Sequence, residues 1–305
     1  MLPSPSHAPV LLDSVRRLAA ASRRAVDGTL GHGGHAEALL DLGLAVLGID
    51  RDPEARRIAA ARLGARADFR MLAGTYDAPE VLEAVRAFRP DLVLLDLGVS
   101  SKQFDDDARG FTFRPGAPLD MRMSGEGATA ADLLNGEDEA QLADWFYQYG
   151  DERKSRALAR EVVQRRGRSP FTVSDDFVNV IRRVLGPRSG PGEFARLFQA
   201  LRIAVNDELD GLDRALPALR DALVPGGQLL VMTYHSGEDR LVKHLFRAWA
   251  TRCVCPTEQP ICVCRGRALG RLEPRKPIEP DDAECARNPR ARSARLRVFV
   301  AGAEP

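Results

Sequence analysis

The fold is decided by Asp27-Gly28-Thr29-Leu30-Gly31-His32-Gly33-Gly34-His35, a glycine-rich turn between a predicted strand over residues 24–27 and a helix beginning near His35. Glycines in this place let the backbone come close to a ligand at the carboxyl end of a parallel sheet. The next predicted strand ends in Asp50, whose carboxylate is able to accept hydrogen bonds from both hydroxyls of a ribose. The turn and the acid together predict a nucleoside site.

The alternation of strand and helix continues on both sides of a long interruption. We predict strands over residues 24–27, 44–50, 68–72, 91–96, 227–234 and 296–300, and helices over residues 53–63, 81–88 and 241–250. Such alternation indicates an α/β fold with a parallel, doubly wound sheet. Between them, residues 101–127 predict a loop and residues 128–212 predict only helices, the last over residues 193–212. We therefore expect an α/β domain formed by residues 1–103 and 213–305, with a helical insertion over residues 104–212.

Composition narrows the class of protein. The chain has 305 residues, of which 44% are apolar and 29% are charged, and this excludes disordered and collagen-like chains. No apolar run approaches the ~18–20 residues that span a bilayer. The opening residues lack the basic and apolar segments of a signal peptide, so we expect a cytoplasmic protein.

Charge is unevenly distributed along the chain, although the net charge is only +1. Residues 152–188 contain ten Lys or Arg and four Asp or Glu, and residues 265–297 contain ten and five. Two basic zones on a nearly neutral protein suit a polyanion such as RNA. Considered by charge alone, the two basic zones are more simply interpreted as solvent-exposed faces that bind no polyanion.

The turn leaves two nucleoside cofactors open. Gly31-x-Gly33-x-x-Ala36 fits the dinucleotide fingerprint, which would indicate a nicotinamide oxidoreductase. Asp27 argues against it, because an acid beside the turn repels a pyrophosphate and attracts a cation. The sulfonium and amino groups of S-adenosyl-L-methionine are cationic, so the residues favour a methyltransferase.

A second group of chemical interest follows the fourth predicted strand, where Asp96-Leu97-Gly98-Val99-Ser100-Ser101 begins at the crevice of a doubly wound sheet. The lone pair of an aromatic amine is delocalised into its ring. An acceptor that holds the N–H bonds turns that lone pair toward a methyl donor, and we expect Asp96 to do so. The alternative is an acid that only caps the end of a strand.

These motifs, with others along the chain, resemble the bacterial MraW family. They are His7-Ala8-Pro9-Val10-Leu11-Leu12, Gly31-His32-Gly33-Gly34-His35, Gly48-Ile49-Asp50-Arg51-Asp52, Leu94-Leu95-Asp96-Leu97-Gly98-Val99-Ser100-Ser101, Arg109-Gly110-Phe111, Pro118-Leu119-Asp120-Met121-Arg122-Met123, Phe198-Gln199-Ala200-Leu201-Arg202-Ile203, Val205-Asn206-Asp207-Glu208-Leu209 and Asn288-Pro289-Arg290-Ala291-Arg292-Ser293. They occur in order over almost the whole chain.

The resemblance implies a class I S-adenosylmethionine-dependent methyltransferase with a Rossmann-like sheet. Its expected activity is methylation of the exocyclic 4-amino group of a cytidine in the decoding region of small-subunit (16S) ribosomal RNA. The expected partner is this RNA, within the assembled or assembling 30S subunit, and the helical insertion would recognise it. The oligomeric state, including a homodimer, is left open. The implied cofactor contacts are Gly33, Gly34, His35, Asp50, Tyr76, Asp96 and Gln103.

Two further groups have more than one interpretation. His235 follows the fifth strand, where it either contacts the base or relays a proton, or makes a structural hydrogen bond to the neighbouring loop. Cys253-x-Cys255 and Cys262-x-Cys264 either bind zinc or remain reduced thiols. Structural zinc sites usually separate paired cysteines by two to four residues, so the sequence favours thiols and we expect no metal.

Two rival functions are compatible with the same residues. One is an amino-methyltransferase acting on DNA, and the other is a non-catalytic RNA-binding or ribosome-assembly protein that kept the fold. Gly33, Gly34, Asp50 and Asp96 argue against the second, because binding RNA alone requires none of them.

Overall fold

The computed structural model describes residues 9–256, 259, 261 and 263–302, so His7 and Cys262 lie outside the described residues. The chain divides into two compact units. Unit 1 combines the residues up to Gly98 with those from Leu209 onward, and unit 2 spans Val99–Glu208. The divisions differ by five and four residues from the predicted boundaries after residues 103 and 212.

Unit 1 contains a seven-stranded sheet. The strands are β1 (Arg24–Asp27), β2 (Ala45–Asp50), β3 (Phe69–Ala73), β4 (Leu92–Asp96), β5 (Gln228–Thr233), β6 (Gly270–Leu272) and β7 (Arg295–Ala301). Their order is β3-β2-β1-β4-β5-β7-β6, with β7 antiparallel to both of its neighbours and the other pairs parallel. The expected doubly wound sheet is confirmed, and the antiparallel β6–β7 edge is an addition to it.

Both units contain helices within the described ranges. In chain order they are α1 (Leu12–Ala19), α2 (Gly34–Asp41), α3 (Pro53–Leu63), α4 (Pro79–Phe88), α5 (Ser101–Asp105), α6 (Ala130–Gly136), α7 (Glu139–Gln148), α8 (Ser155–Arg166), α9 (Ser174–Leu185), α10 (Pro191–Asn206), α11 (Glu208–Ala222), α12 (Ser236–Ala250) and α13 (Asp282–Arg287). No helix among the described residues is both long enough and apolar enough to cross a bilayer.

Alternate residues of the central strands enter two separate cores. Leu92 and Leu94 of β4 pack in one apolar cluster of unit 1, and Val93 and Leu95 pack in the other. Because side chains point alternately to the two faces of a strand, both faces of the sheet are covered. This explains why the strands read as continuous apolar runs in the sequence.

The order of the strands brings three acids to one place. β1 pairs with β2 on one side and with β4 on the other. The strand order therefore changes direction at β1, which is the topological switch point of the sheet. Ligands of doubly wound sheets bind outside the carboxyl ends of the strands at such a point. Asp27, Asp50 and Asp96 are the last residues of these three strands.

Unit 2 is helical, and its apolar core is a cluster of its own. The single helix predicted over residues 193–212 is wrong, because α10 ends at Asn206 and α11 begins at Glu208. Asp207 between them has a left-handed backbone with φ 51°, which a continuous helix does not allow. The buried Asn206 side chain donates to Met121 O (2.7 Å) and accepts from Met123 N–H (2.9 Å). It therefore fastens the end of α10 to the loop that precedes α6.

Candidate functional site

Asp27 is a buried acid with one unused oxygen. Its side chain is 1% exposed, and its Oδ1 accepts a hydrogen bond from Thr29 N–H at 3.3 Å. Its Oδ2 has no hydrogen-bond partner within the described part of the chain. Burial is the largest of several effects that together raise the pKa of Asp27 to about 6. The carboxylates of Asp96 and Asp50 also raise this pKa, while His35 and the hydrogen bond from Thr29 lower it. A buried carboxylate of this kind favours a cationic ligand.

Asp50 holds the glycine-rich turn as well as facing the ligand site. Its Oδ2 accepts from Gly31 N–H (2.7 Å), and its Oδ1 accepts from Asp52 N–H (2.8 Å). Burial raises its pKa, although both backbone hydrogen bonds oppose the rise. Each carboxylate oxygen has more than one lone pair, so these bonds leave acceptor capacity for the ribose hydroxyls expected from the sequence.

The glycines of the turn are required by packing beneath it. Gly33 precedes α2 with a left-handed backbone, φ 79°, and a Cβ there would lie 2.7 Å from Leu63 Cδ1. A Cβ on Gly34 would lie 2.5 Å from Pro9 Cγ. A side chain at Gly33 would be strained by the left-handed backbone and would push Leu63 aside, and one at Gly34 would collide with the Pro9 ring. The predicted cofactor contacts of both residues stay predictions.

Asp96 is held by two neighbours that the sequence analysis did not identify. Its backbone N–H donates to Thr29 Oγ1 at 2.6 Å, and its Oδ1 accepts from the Tyr234 hydroxyl at 2.7 Å. Its side chain is 24% exposed. Burial raises the pKa of Asp96, while His35 and the hydrogen bond from Tyr234 oppose the rise. Burial and the Asp96 charge also raise the pKa of Tyr234, so its hydroxyl stays protonated and remains a donor.

His35 lies under Asp96 and is itself buried. Its Nε2 lies 3.0 Å from Val10 O, and because a carbonyl oxygen only accepts, Nε2 carries the hydrogen. Its Nδ1 then faces Asp96 Oδ2 at 3.6 Å. At this distance the ring packs beside the Asp96 carboxylate without a hydrogen bond to it. The cofactor contact expected for His35 stays a prediction.

His235 is the residue that precedes α12, and its contacts favour the structural interpretation. Its Nδ1 accepts from Glu238 N–H at 3.4 Å, and its own N–H donates to Glu238 Oε2 at 3.3 Å. Its Nε2 lies 3.1 Å from Glu238 Oε1 but makes no hydrogen bond to any described residue. These reciprocal bonds form a capping box at the start of α12. A catalytic role of His235 stays a prediction.

Tyr76 and Gln103 are the other two residues that we expect to contact the cofactor. Tyr76 follows β3 in unit 1, where it is partly buried against the apolar cluster that contains Val93 and Leu95. Gln103 belongs to unit 2, where it is buried and its Oε1 accepts from Ser100 N–H at 2.9 Å. The roles expected for both residues stay predictions.

Seven basic residues of the two basic zones are candidates for phosphate contacts, and they fall into two groups. Arg165 pairs with Asp176 at 2.6 Å, and Arg166 donates to the backbone of Glu137 at 2.6 Å, so both hold unit 2 together. The remaining five are exposed, and they are Arg153, Lys154, Arg287, Arg290 and Arg292. The exposed group is the better source of phosphate contacts.

Tyr234 is a residue of the site that the sequence motifs did not indicate, although its hydroxyl donates to Asp96. It lies just beyond β5, and β5 pairs with β4 so that Met232 is opposite Asp96. A tyrosine just after a strand that neighbours the Asp96 strand was therefore a usable signal. The resulting cluster has a cation-attracting acid at Asp27, a turn held by Asp50, and an oriented acceptor at Asp96.

Comparison with known proteins identifies a family for this chain. Residues 4–301 match the model of the MraW methylase family. A protein of Gemmatimonas aurantiaca named Ribosomal RNA small subunit methyltransferase H is 53% identical over 297 residues, covering 96% of this chain and 94% of that protein. Proteins with the same name from Syntrophobacter fumaroxidans and Rubrobacter xylanophilus are 44% and 46% identical, and each alignment covers at least 96% of both chains.

Proposed function

Because the chain belongs to the MraW methylase family, we propose that it methylates the exocyclic 4-amino group of a cytidine in the decoding region of small-subunit ribosomal RNA. The chain is a methyltransferase, and its cofactor is S-adenosyl-L-methionine. The observation that carries the proposal is the acceptor Asp96, oriented by Tyr234 beside the cofactor turn. We extend the proposal to direct in-line transfer, and to the assembled or assembling 30S subunit as the form of the substrate. A homodimer stays a prediction.

The residues of the turn fit the cofactor. Asp27 presents a buried oxygen without a hydrogen-bond partner among the described residues, and a cationic group satisfies it. Asp50 retains acceptor capacity for ribose hydroxyls while it holds Gly31. When bound, S-adenosylmethionine supplies a methyl group on a positively charged sulfur. Asp27, Asp50 and the turn would hold it.

Asp96 acts on the amine of the base. A carboxylate only accepts hydrogen bonds, so it binds the two N–H groups rather than the lone pair of the amine. The hydrogen bond from the Tyr234 hydroxyl holds the carboxylate in one orientation. The amine is then positioned with its lone pair away from Asp96. Positioning of this kind is able to supply about 7–11 kcal/mol of barrier reduction.

The RNA must present an unstacked base. A stacked cytidine buries its amine, so we propose that the target nucleotide is splayed out of its RNA context, as bases are in other enzymes that modify them. Unstacking costs a few kcal/mol. Phosphate contacts from the exposed arginines, including Arg153, Arg287 and Arg290, would offset this cost.

The test of the function compares ribosomal RNA from cells that contain the protein with RNA from cells that lack it. We expect mass spectrometry to find the 4-amino methyl group of a decoding-region cytidine only in the first sample. Purified protein should restore it to 30S subunits from deficient cells and leave duplex DNA unmethylated. Unchanged ribosomal RNA, or labelled methyl transfer to DNA, would contradict the proposal.

The affinity for S-adenosylmethionine should depend on the ionisation of Asp27. Its pKa of about 6 means that the carboxylate becomes neutral as the pH falls through that value, and its attraction for a cation is then lost. Binding should therefore weaken below about pH 6. Asp27→Asn should weaken binding about 10–100-fold at neutral pH, as expected for one hydrogen bond to a charged group.

Isothermal titration calorimetry across the range from about pH 5 to about pH 8 measures both effects. Asp41→Asn is a matched control, because Asp41 is an exposed acid at the end of α2 that pairs with Arg66. It should leave the affinity and its pH dependence as in the unmodified protein. His35, Asp50 and Asp96 also face Asp27, so an unchanged pH profile in Asp27→Asn would assign the dependence to one of them.

A further inference from the structure

Three cysteine sulfurs lie together in the segment that follows α12. Those of Cys253, Cys255 and Cys264 all lie within 4.8 Å of one another. Methyl transfer has no use for them. We propose that these three thiolates bind one zinc-class divalent cation in a tetrahedral site.

The separation of two sulfurs matches a shared metal. Cys253 Sγ and Cys264 Sγ are 3.9 Å apart. Zinc–thiolate bonds are about 2.3 Å long, so two thiolates at adjacent corners of a tetrahedron are about 3.8 Å apart. A disulfide would require about 2.05 Å. The observed separation therefore fits the edge of a metal tetrahedron and excludes a disulfide between these two sulfurs.

The backbone around the sulfurs is arranged to support thiolates. Val254 N–H donates to Cys264 Sγ at 3.3 Å, and such donors stabilise negative charge on a metal-binding sulfur. Arg265, next in sequence, donates from its guanidinium to Thr251 O at 2.8 Å and also to Ala248 O. These bonds fasten the end of the segment to the end of α12. The position of Cys264 is therefore fixed by the fold.

The segment lacks a hydrophobic core that would hold its conformation. Between Thr251 and Gly270 the described residues contain no helix or strand. Val254 is 47% exposed, and Ile261 and Val263 are each 73% exposed. Segments longer than about 12–15 residues without helix or strand are uncommon in compact domains and are often functional. Binding free energy at a thiolate site would order this one.

The spacing that argued against metal in the sequence does not prevent it in space. One residue separates Cys253 from Cys255, yet both sulfurs belong to the same cluster. Cys264 approaches from the returning part of the segment and completes a triangle of sulfurs. A fourth donor fills the remaining corner, because structural zinc is four-coordinate.

The experiment measures metal in the full-length protein, purified under reducing conditions without a polyhistidine tag. Inductively coupled plasma mass spectrometry should find about one zinc per chain. Cys253→Ser and Cys264→Ser should each reduce this at least about tenfold. Cys285→Ser is the matched control, since Cys285 lies on α13 outside the cluster, and it should retain the metal. Cobalt(II) added to the metal-depleted protein should give a thiolate-to-cobalt charge-transfer band and the visible spectrum of a tetrahedral site.

Several results would overturn the proposal. One is that the unmodified protein neither contains zinc nor takes up zinc or cobalt, and another is that both cysteine variants retain zinc. A third is that the protein contains iron in place of zinc, and a fourth is that intact mass shows a disulfide between Cys253 and Cys264. Circular dichroism and S-adenosylmethionine titration verify that each variant is folded. The methyl-transfer site contains no cysteine, so failure of that function would leave this test unaffected.

Discussion

We expect that replacing Asp96 with alanine lowers methyl transfer to the ribosomal RNA at least about 10³-fold, while the protein still folds. The expected loss follows from removing the acceptor that orients the amine, since deleting one well-placed polar group in a transition state costs about 10²–10³ in turnover, and alanine also removes the alignment that the acceptor imposes. The measurement is single-turnover transfer of a labelled methyl group to 30S subunits. Circular dichroism and cofactor titration serve as the controls.

Tyr234→Phe is the companion variant, because it keeps the ring and removes only the hydroxyl that donates to Asp96. That hydrogen bond opposes the rise in the pKa of Asp96, so removing it should raise this pKa further. The acidic limb of the pH–rate profile should therefore move to higher pH, with a smaller loss of turnover than in Asp96→Ala. Full turnover in Asp96→Ala would refute the role assigned to Asp96. An unmoved acidic limb in Tyr234→Phe would refute the link between the two residues.

Replacing Asp239 with alanine has the largest effect that we expect on stability. The Asp239 carboxylate on α12 accepts from Arg297 Nε (2.7 Å) and Nη2 (3.0 Å) on β7, and the two residues are only 8% and 9% exposed. Without Asp239 the guanidinium of Arg297 is left buried without its charge partner. Breaking a buried pair in this way costs about 3–5 kcal/mol of unfolding free energy.

The effect should depend on pH. Burial raises the pKa of Asp239, but the hydrogen bond and charge of Arg297, together with Arg295, outweigh burial and hold this pKa below its usual value. The stabilisation is therefore fully present above the ordinary aspartate pKa of about 4 and is lost as the pH falls through the lower, folded value. The unfolding midpoints of Asp239→Ala and the unmodified protein should diverge at neutral pH and approach each other in acid.

Scanning calorimetry measures the midpoints, and the exposed pair between Arg271 and Glu273 provides the comparison. Its side chains are 66% and 60% exposed, so Arg271→Ala should cost no more than about 1 kcal/mol. If Arg271→Ala and Asp239→Ala lower the free energy of unfolding equally, burial of the Asp239–Arg297 pair does not increase its contribution to stability.

The three acids were predictable from the sequence because each ends an apolar strand. Asp27, Asp50 and Asp96 follow runs that read as buried parallel strands, and the carboxyl ends of such strands lie at one edge of a sheet. The place of each acid in the sheet can therefore be predicted from the local sequence. The contact of Asp96 with Tyr234, which lowers the pKa of Asp96, cannot be predicted in this way, because it spans 138 positions of sequence and depends on β5 lying beside β4.

Two other features escaped the sequence for different physical reasons. The break between α10 and α11 falls at Asp207, where neither glycine nor proline marks an end, so helical periodicity continued across it. The one-residue gaps between the cysteines argue against a metal, but they do not reveal that the three sulfurs lie together in space. The helix break is fixed by the long-range contacts of Asn206 with Met121 and Met123, whereas the cysteine cluster depends on how the segment turns back on itself.

The insertion of unit 2 also affects how the protein must mature on the ribosome. β4 ends at Asp96 and β5 begins at Gln228, so 132 positions of chain separate neighbours in the finished sheet. While these residues are being synthesised, the nascent chain carries an apolar strand with an open edge, and such edges pair readily with foreign strands. Translation therefore passes through an aggregation-prone interval that ends only when β5 emerges, and holdase chaperones are expected to act during it.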